Sequence, residues 1–207
     1  PSVDEAYGNV HIPDDSKTLD RSLKRFRFEE ALFLQLRHRI QVKRRKQARS
    51  KIVLNTVGEK FNYFYHKNLE FELTEAQKRV MKEIHTDLAG AYRMNRLLQG
   101  DVGSGKTVVA LMSMLIAVDN GYQASMMAPT EILAQQHYNT IRNLLRDMDV
   151  NVRLLTGSTK VREKREILKE LENGKINIIV GTHALIEDPV IFHKLALAVI
   201  DEQHRFG

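Results

Sequence analysis

The sequence predicts an α/β fold, in which a parallel, doubly wound sheet with helices on both faces follows a long basic helical segment. Three observations predict it. Short apolar segments alternate with amphipathic ones from residue 74 onward, as is typical of βαβ units. A glycine-rich turn at residues 100–107 joins one apolar segment to a helix. No glycine or proline interrupts residues 16–56, where apolar residues recur at three- and four-residue steps between basic ones.

The N-terminal part is predicted to be a short irregular stretch followed by a long helix. Residues 1–16 are polar, contain Gly8 and Pro13, and predict an irregular lead-in to a helix that begins at Lys17. Gly58 and the aromatic stretch FNYFYH after it mark a boundary near residues 55–70. We therefore divide the chain into a basic helical linker segment, 1–60, and an α/β lobe, 61–207.

Helices and short strands alternate through the α/β lobe, and Thr74 is a suitable N-cap for the first helix. The predicted helices cover residues 74–89, 107–121, 131–148 and 160–174. The predicted strands cover residues 96–100, 123–130, 152–157, 176–182 and 195–204.

Composition excludes several classes of protein. The chain has no run of about 18 apolar residues, so a membrane span is not expected. The first ten residues lack the basic start and apolar stretch of a secretory signal. The absence of cysteine excludes disulfides and cysteine-ligated zinc, and it fits a cytoplasmic location.

Positive charge is concentrated at the N-terminal end. The net charge is +6, and residues 1–60 carry all of it, with 14 Lys and Arg against 8 Asp and Glu, whereas residues 61–207 carry 18 of each sign. The stretch Arg39–Lys51 is the densest part. Such asymmetry indicates a polyanion partner, most simply a nucleic-acid backbone. The alternative is a solvated helix face that binds nothing specific.

The segment Gly100–Thr107, GDVGSGKT, matches G-x-x-x-x-G-K-[ST] between a predicted strand and a predicted helix. Gly100, Gly103 and Gly105 let the backbone of this phosphate loop turn its N–H groups, including that of Ser104, towards phosphate oxygens. The helix N-terminus favours the same anion, Lys106 adds a full charge, and the Thr107 hydroxyl can ligate Mg²⁺. We therefore predict a P-loop NTPase (RecA-like) fold that binds ATP and Mg²⁺.

Two carboxylates follow the apolar part of the last predicted strand. Asp201 stands at the carboxyl end of the apolar stretch ALAVI, where α/β sheets place ligands. Asp201 is predicted to hold Mg²⁺ through water, and Glu202 to orient or deprotonate the attacking water. An isolated Asp-Glu pair is more often a surface feature, but the phosphate loop several βα units upstream favours an ATPase site.

Taken together, the motifs resemble the first motor lobe of superfamily 2 helicases and, within them, the RecG-type branch-migration helicases. Their order and spacing carry the resemblance, and only the phosphate loop is specific by itself. The double-strand translocases of the transcription–repair coupling type are similar across the same blocks. The matching stretches are LTEAQ (73–77), GDVGSGKT (100–107), MAPTEILAQQH (127–137), LLTGSTK (154–160), VGTHALI (180–186) and DEQHRFG (201–207).

On the nucleotide side, the resemblance implies that Gln77 bonds the adenine edge and that Phe71 stacks on the base. Core packing is an equal alternative for Phe71. The resemblance also implies that Gln203 and His204 sense the γ-phosphate, and a structural role for either is the alternative. His204 joins Lys106, Asp201 and Glu202 among the predicted catalytic residues.

On the nucleic-acid side, the resemblance implies that the helix start at Pro129, Thr130 and Glu131 holds a DNA phosphate. A simple capped helix start is the alternative. Thr182 and His183 would lie on the same rim of the sheet, and a partly buried structural role for His183 stays open. For the linker segment, the resemblance favours docking against neighbouring domains. Contact of the basic residues 44–46 with the DNA backbone is the second interpretation.

The resemblance implies an ATP-dependent DNA helicase or translocase that acts on branched DNA, such as forks and Holliday junctions, in bacterial recombination and repair. Motors of this family also have a second lobe, with an arginine finger, and a DNA wedge domain. We therefore expect this chain to be a monomeric, nucleoid-associated fragment that binds ATP-Mg²⁺ but hydrolyses it poorly alone. A double-strand translocase and a stand-alone nucleotide-binding switch are the alternatives.

Overall fold

The computed structural model describes residues 1–47, 50–187 and 189–203, with the backbone alone at residues 44–47. The chain forms two compact units, Pro1–Arg49 and Ser50–Gly207. The division at residue 60 into a linker and a lobe stays a prediction about the domains of the protein.

The first unit is a pair of helices, α1 (Val3–His11) and α2 (Ser16–Gln47). The long helix α2 confirms the prediction from the apolar spacing. The irregular lead-in was wrong for residues 3–11, because Ser2 and Glu5 form a capping box that starts α1. The rings of Tyr7 and Phe26, whose centroids lie 4.8 Å apart, pack α1 on α2.

The second unit contains five further α-helices among its described residues and one four-stranded sheet. The helices are α3 (Glu59–Tyr63), α4 (Glu75–Leu88), α5 (Lys106–Asp119), α6 (Glu131–Leu144) and α7 (Val161–Glu172). The strands are β1 (Gln123–Met127), β2 (Val152–Leu155), β3 (Ile178–Gly181) and β4 (Leu195–Ile200).

All strand pairs are parallel, and the strand order is β2-β3-β1-β4. Ile178 and Val180 of β3 enter a core with α4, α5 and α6. Ile179, on the opposite face of the same strand, enters a second core with α7. Helices therefore cover both faces, as predicted, and every described strand ends at the same edge of the sheet.

The strand predicted at residues 96–100 was wrong. The described structure has no strand there, and Leu97 is 70% exposed. A strand needs a neighbour for its backbone hydrogen bonds, and the outer strand β4 is paired with β1 alone among the described residues. The last strand also ends earlier than predicted, at Ile200, so that Asp201 begins a turn.

Two side chains fix the start of the lobe and the start of its sheet. The carboxylate of Asp119 accepts hydrogen bonds from the amides of Gly58, Lys60 and Phe61, each at 3.0 Å, and so caps α3. The buried amide of Gln123 donates to two carbonyls near the end of α7 and accepts from Lys194 N at 3.0 Å, just before β4. These bonds tie the start of β1 to the segments that lead into β3 and β4.

Candidate functional site

The phosphate loop has the backbone that its glycines predict. Gly103 and Gly105 have φ values of +80° and +79°, in the left-handed region that favours glycine. Gly105 is the N-cap of α5 and makes no side-chain cap bond, so the first amides of α5 stay available to an anion. A Cβ at Gly105 would collide with Nε2 of Gln77. The loop therefore offers a glycine-lined helix start that fits phosphate oxygens.

Lys106 bends back over the loop. Its Nζ donates to the carbonyls of Gly100 at 2.8 Å and Asp101 at 2.7 Å. Thr107 follows in the first turn of α5 and is half-buried. The ammonium is thus held over the loop, where a phosphate oxygen can replace a carbonyl as its partner.

Gln77 connects α4 to the phosphate loop. Its Oε1 accepts from Thr74 N at 2.8 Å in a capping box, and its Nε2 donates to Ser104 O at 2.9 Å. The predicted bond to an adenine edge would have to replace or share these two. Phe71, just upstream, is 51% exposed, which argues against the core-packing alternative and leaves its ring free to stack on a base.

Asp201 lies directly after β4, at the end of the apolar stretch that the sequence indicated. Its backbone N–H donates to Met127 O at 2.8 Å, which extends the β1–β4 pairing by one bond. The carboxylate oxygen Oδ1 accepts from Glu202 N at 3.0 Å. Glu202 has φ +47°, a left-handed conformation that is uncommon for a residue with a side chain. This local strain marks the turn as a functional candidate.

Sequence reasoning assigned no role to His137, although it ends one of the quoted motifs. Its Nε2 lies 2.7 Å from Asp201 Oδ2, and the imidazole is 14% exposed. An ionised carboxylate only accepts, so Nε2 is the donor. The 64-residue separation between the two residues leaves no local signal for this pair.

At the carboxyl ends of β1 and β2, Glu131 joins two loops. Its oxygens accept from Ser158 N at 2.9 Å and Ser158 Oγ at 2.7 Å. These bonds, the Oγ bond first, lower the pKa of Glu131 below its ordinary value of 4.5. Thr130 caps α6 by accepting from Leu133 N at 3.3 Å and keeps its own proton to donate, and Pro129 beside it is half-buried.

Two further predicted residues follow β3. Thr182 is 2% exposed, and its Oγ1 has no hydrogen-bond partner among the described residues. His183 is exposed, with Nε2 at 3.4 Å from Glu187 Oε1, so the partly buried alternative does not hold for it. The rim formed by Thr130, Glu131, Ser158, Thr182 and His183 therefore carries hydroxyl, carboxylate and imidazole groups at one edge of the sheet.

The remaining predicted residues are Gln203, His204 and the basic residues 44–46. Gln203 is exposed. His204 lies outside the described residues, as do the side chains of residues 44–46. Among the hydrogen bonds of the described part of the chain, none joins Lys106 or Thr107 to Asp201.

The donor set suits Mg²⁺. The Thr107 hydroxyl and the Asp201 carboxylate are hard oxygen donors, which this ion prefers. Each Asp201 oxygen has one described hydrogen bond and keeps a lone pair for a metal-bound water.

In the described ranges no helix is long and apolar enough to cross a membrane.

A family model, two relatives and a solved structure all match this chain to helicases. Residues 74–207 match the DEAD/DEAH box helicase family. The ATP-dependent DNA helicase RecG of Bacillus subtilis is 45% identical over all 207 residues, and that of Aquifex aeolicus is 47% identical over 213 aligned residues. A solved structure of RecG bound to a three-way DNA junction superposes on 98% of this chain with a TM-score of 0.79 and 42% identity.

The chain spans only part of these relatives. It covers 30% of the Bacillus protein, 27% of the Aquifex protein and 27% of the chain in the junction complex.

Proposed function

The chain belongs to the DEAD/DEAH box helicase family, and from that premise we propose that it is the nucleotide-binding lobe of an ATP-dependent DNA helicase acting on branched DNA. The observation that carries the proposal is the glycine-lined start of α5, where Gly103 and Gly105 have left-handed backbone and the N-cap is a glycine. Asp201, directly after β4, is the carboxylate proposed to complete the site. The similarity to RecG supports the choice of branched DNA, in recombination and repair in the bacterial cytoplasm.

For nucleotide binding, the amides of residues 103–107 and Lys106 would hold the phosphates, and Gln77 and Phe71 would meet the base. Thr107 and Asp201 would hold Mg²⁺, which neutralises charge on the phosphate oxygens when it is bound. Glu202 would orient the attacking water, and Gln203 and His204 would sense the γ-phosphate. The strained backbone at Glu202 supports a role in that turn.

For DNA binding, four residues lie where the β-strands end and would contact the backbone of one DNA strand: Pro129, Thr130, Thr182 and His183. Glu131 is anionic and already bonded to Ser158, so it would shape this surface rather than bind a phosphate. The linker segment would dock on neighbouring domains of the whole protein. Exposed Phe33 and Leu34 on α2, at 65% and 61%, support docking over simple solvation.

Hydrolysis by this stretch alone is proposed to be slow. A helicase motor needs charge stabilisation from a second lobe, and an arginine supplied there is worth roughly 10³–10⁵ in rate. These relatives are more than three times as long, since the chain covers 30% and 27% of them, and their remaining length leaves room for such a lobe and for a wedge domain. The chain would act as a monomer within that larger protein.

The test is to measure the affinity of this chain for a fluorescent ATP analogue, and its ATP hydrolysis with and without forked DNA. We expect measurable binding and little turnover. Lys106→Ala should abolish binding without changing the melting temperature, whereas the matched surface variant Lys169→Ala on α7 should bind normally. A normal affinity in Lys106→Ala would refute the nucleotide site.

Two further outcomes separate the alternatives. Robust hydrolysis stimulated by forked DNA would contradict the need for a second lobe. In the full-length protein, Glu202→Gln should keep ATP binding and stop turnover, and unchanged turnover would remove Glu202 from the mechanism. Equal stimulation of the full-length protein by plain duplex would favour a double-strand translocase, and no response to any DNA would favour a nucleotide switch.

A further inference from the structure

We infer that His137 is a positioning residue, which fixes the carboxylate of Asp201 and ties it to helix α6. The inference rests on the proposed function for the role of Asp201 towards Mg²⁺. Its contact geometry stands independently of that function.

The contact is short and sheltered. Nε2 of His137 lies 2.7 Å from Oδ2 of Asp201, and the two side chains are 14% and 31% exposed. A hydrogen bond to an ionised acceptor is stronger than one between neutral groups, and partial burial protects it from water.

The second carboxylate oxygen is also held. Oδ1 accepts from Glu202 N at 3.0 Å, and Asp201 N donates to Met127 O at 2.8 Å. The backbone of Asp201 is therefore held by β1, and its carboxylate is held by its own turn and by α6. His137 is the one side chain among these partners, so it is the point at which α6 can act on the acid.

Helix α6 leads from this contact to the rim. It begins at Glu131, with Thr130 as its N-cap, and His137 lies about 9 Å further along the axis at 1.5 Å per residue. Fewer than two turns of helix therefore separate the surface proposed to meet DNA from the histidine that holds Asp201.

Metal-binding carboxylates are oriented by such partners, and removing one typically costs about 10–100-fold in metal affinity or activity. We therefore expect His137→Leu to reduce, by about tenfold, the factor by which Mg²⁺ tightens binding of a fluorescent ATP analogue to this chain. The affinity measured in EDTA should stay unchanged. His137→Gln, whose amide can donate to the same oxygen, should recover part of the effect.

Gln136→Leu is the matched control, because Gln136 is the exposed neighbour on the same helix and should behave as the wild type. Melting temperatures show that each variant is folded. An unchanged Mg²⁺ factor in folded His137→Leu would overturn the inference. An equal loss of affinity in EDTA would overturn it as well, since that would indicate general damage to the lobe.

A second measurement makes the inference separable from the proposed function. The side-chain ¹H–¹⁵N signal of His137 should shift in Asp201→Asn, whereas that of His85, which bonds Asn55 O, should not. If the wild type binds no nucleotide, the proposed function fails and this spectrum alone decides the inference. An unshifted His137 signal would overturn it in either case.

Discussion

The phosphate loop and the sheet reach their geometry by different routes. In the loop, the bonds that shape Gly100–Thr107 mostly join residues close in sequence, such as Lys106 to Gly100 and Asp101. In the sheet and its rim, the deciding bonds join side chains to partners 27 to 71 residues away, as in Glu131 with Ser158 and Gln123 with Lys194. The first region is therefore set by local sequence, and the second by the assembled fold. Substitutions in the two should fail in different ways.

The largest effect on stability is expected in the sheet, for Gln123→Leu. The change leaves the carbonyl of Ile176 and the amide of Lys194 without their side-chain partner in a place where Gln123 is 4% exposed. Unpaired buried groups cost about 1–3 kcal/mol each, so the free energy of unfolding should fall by about 2–4 kcal/mol. Urea denaturation measures it.

Gln135→Leu is the control for that change, because Gln135 is exposed and its one side-chain hydrogen bond among the described residues is to Asn139, one turn along the same helix. It should change stability by less than about 0.5 kcal/mol. Equal stabilities for the two variants would mean that long-range side-chain bonds do not hold the sheet.

In the phosphate loop, Gly105→Ala should damage binding far more than folding. An alanine there must adopt φ near +79° and would push its Cβ against Gln77 Nε2, which now donates to Ser104 O. Left-handed backbone costs about 1–2 kcal/mol and a lost hydrogen bond about 1 kcal/mol more. The free loop should relax to escape this cost, and an ATP analogue would have to restore the present conformation in order to bind. Its affinity should therefore fall roughly 30–100-fold, at 1.4 kcal/mol per factor of ten.

Gly121→Ala is the control, because it introduces the same backbone strain without a collision with Gln77. Gly121 has φ +77°, but a Cβ there would meet nothing within 4 Å. This variant should lose about 1–2 kcal/mol of stability and keep its nucleotide affinity. Normal binding by Gly105→Ala would show that the loop does not need its present conformation.

The same contrast explains what could be predicted from the sequence. The glycine turn before α5, the Thr74 cap and four of the five strands follow from local pattern, and the structure confirms them. Phosphate binding by that turn stays a prediction. The strand at residues 96–100 was wrong because its pattern is local but strand formation requires a paired neighbour. His137, Ser158 and Gln123 could not be found, since their roles appear only when distant segments meet. The capping box at Ser2 and Glu5 was a readable signal that was overlooked.

At the rim, Thr182→Val should separate stability from DNA binding. The buried Thr182 hydroxyl has no partner among the described residues, so an isosteric apolar side chain should raise stability by up to about 1 kcal/mol. If the hydroxyl contacts DNA, affinity for forked DNA should fall about 3–10-fold. Thr156→Val is the contrast, because the Thr156 hydroxyl already lies 3.1 Å from Ser158 Oγ and its loss should destabilise the fold. Lower stability together with unchanged DNA affinity in Thr182→Val would make Thr182 structural.

The smallest expected effect is a pH dependence at Glu131. Hydrogen bonds from Ser158 lower the pKa of Glu131 in the folded state, so the ionised carboxylate stabilises the fold above its unfolded pKa, near 4.5. That contribution is lost as the pH falls through the lower, folded pKa. The stability difference between the wild type and Glu131→Gln should therefore shrink as the pH falls from about 5 to 3, measured by urea denaturation at each pH. Ser158→Ala removes the larger of the two causes and should weaken the same dependence. In the double variant of Glu131→Gln and Ser158→Ala, the serine substitution should cause no further change in the pH dependence, because the carboxylate is already absent. A stability difference that stays constant from pH 7 to pH 3 would mean that the bond between the two loops does not depend on charge, and Glu131 would then shape the rim by packing alone.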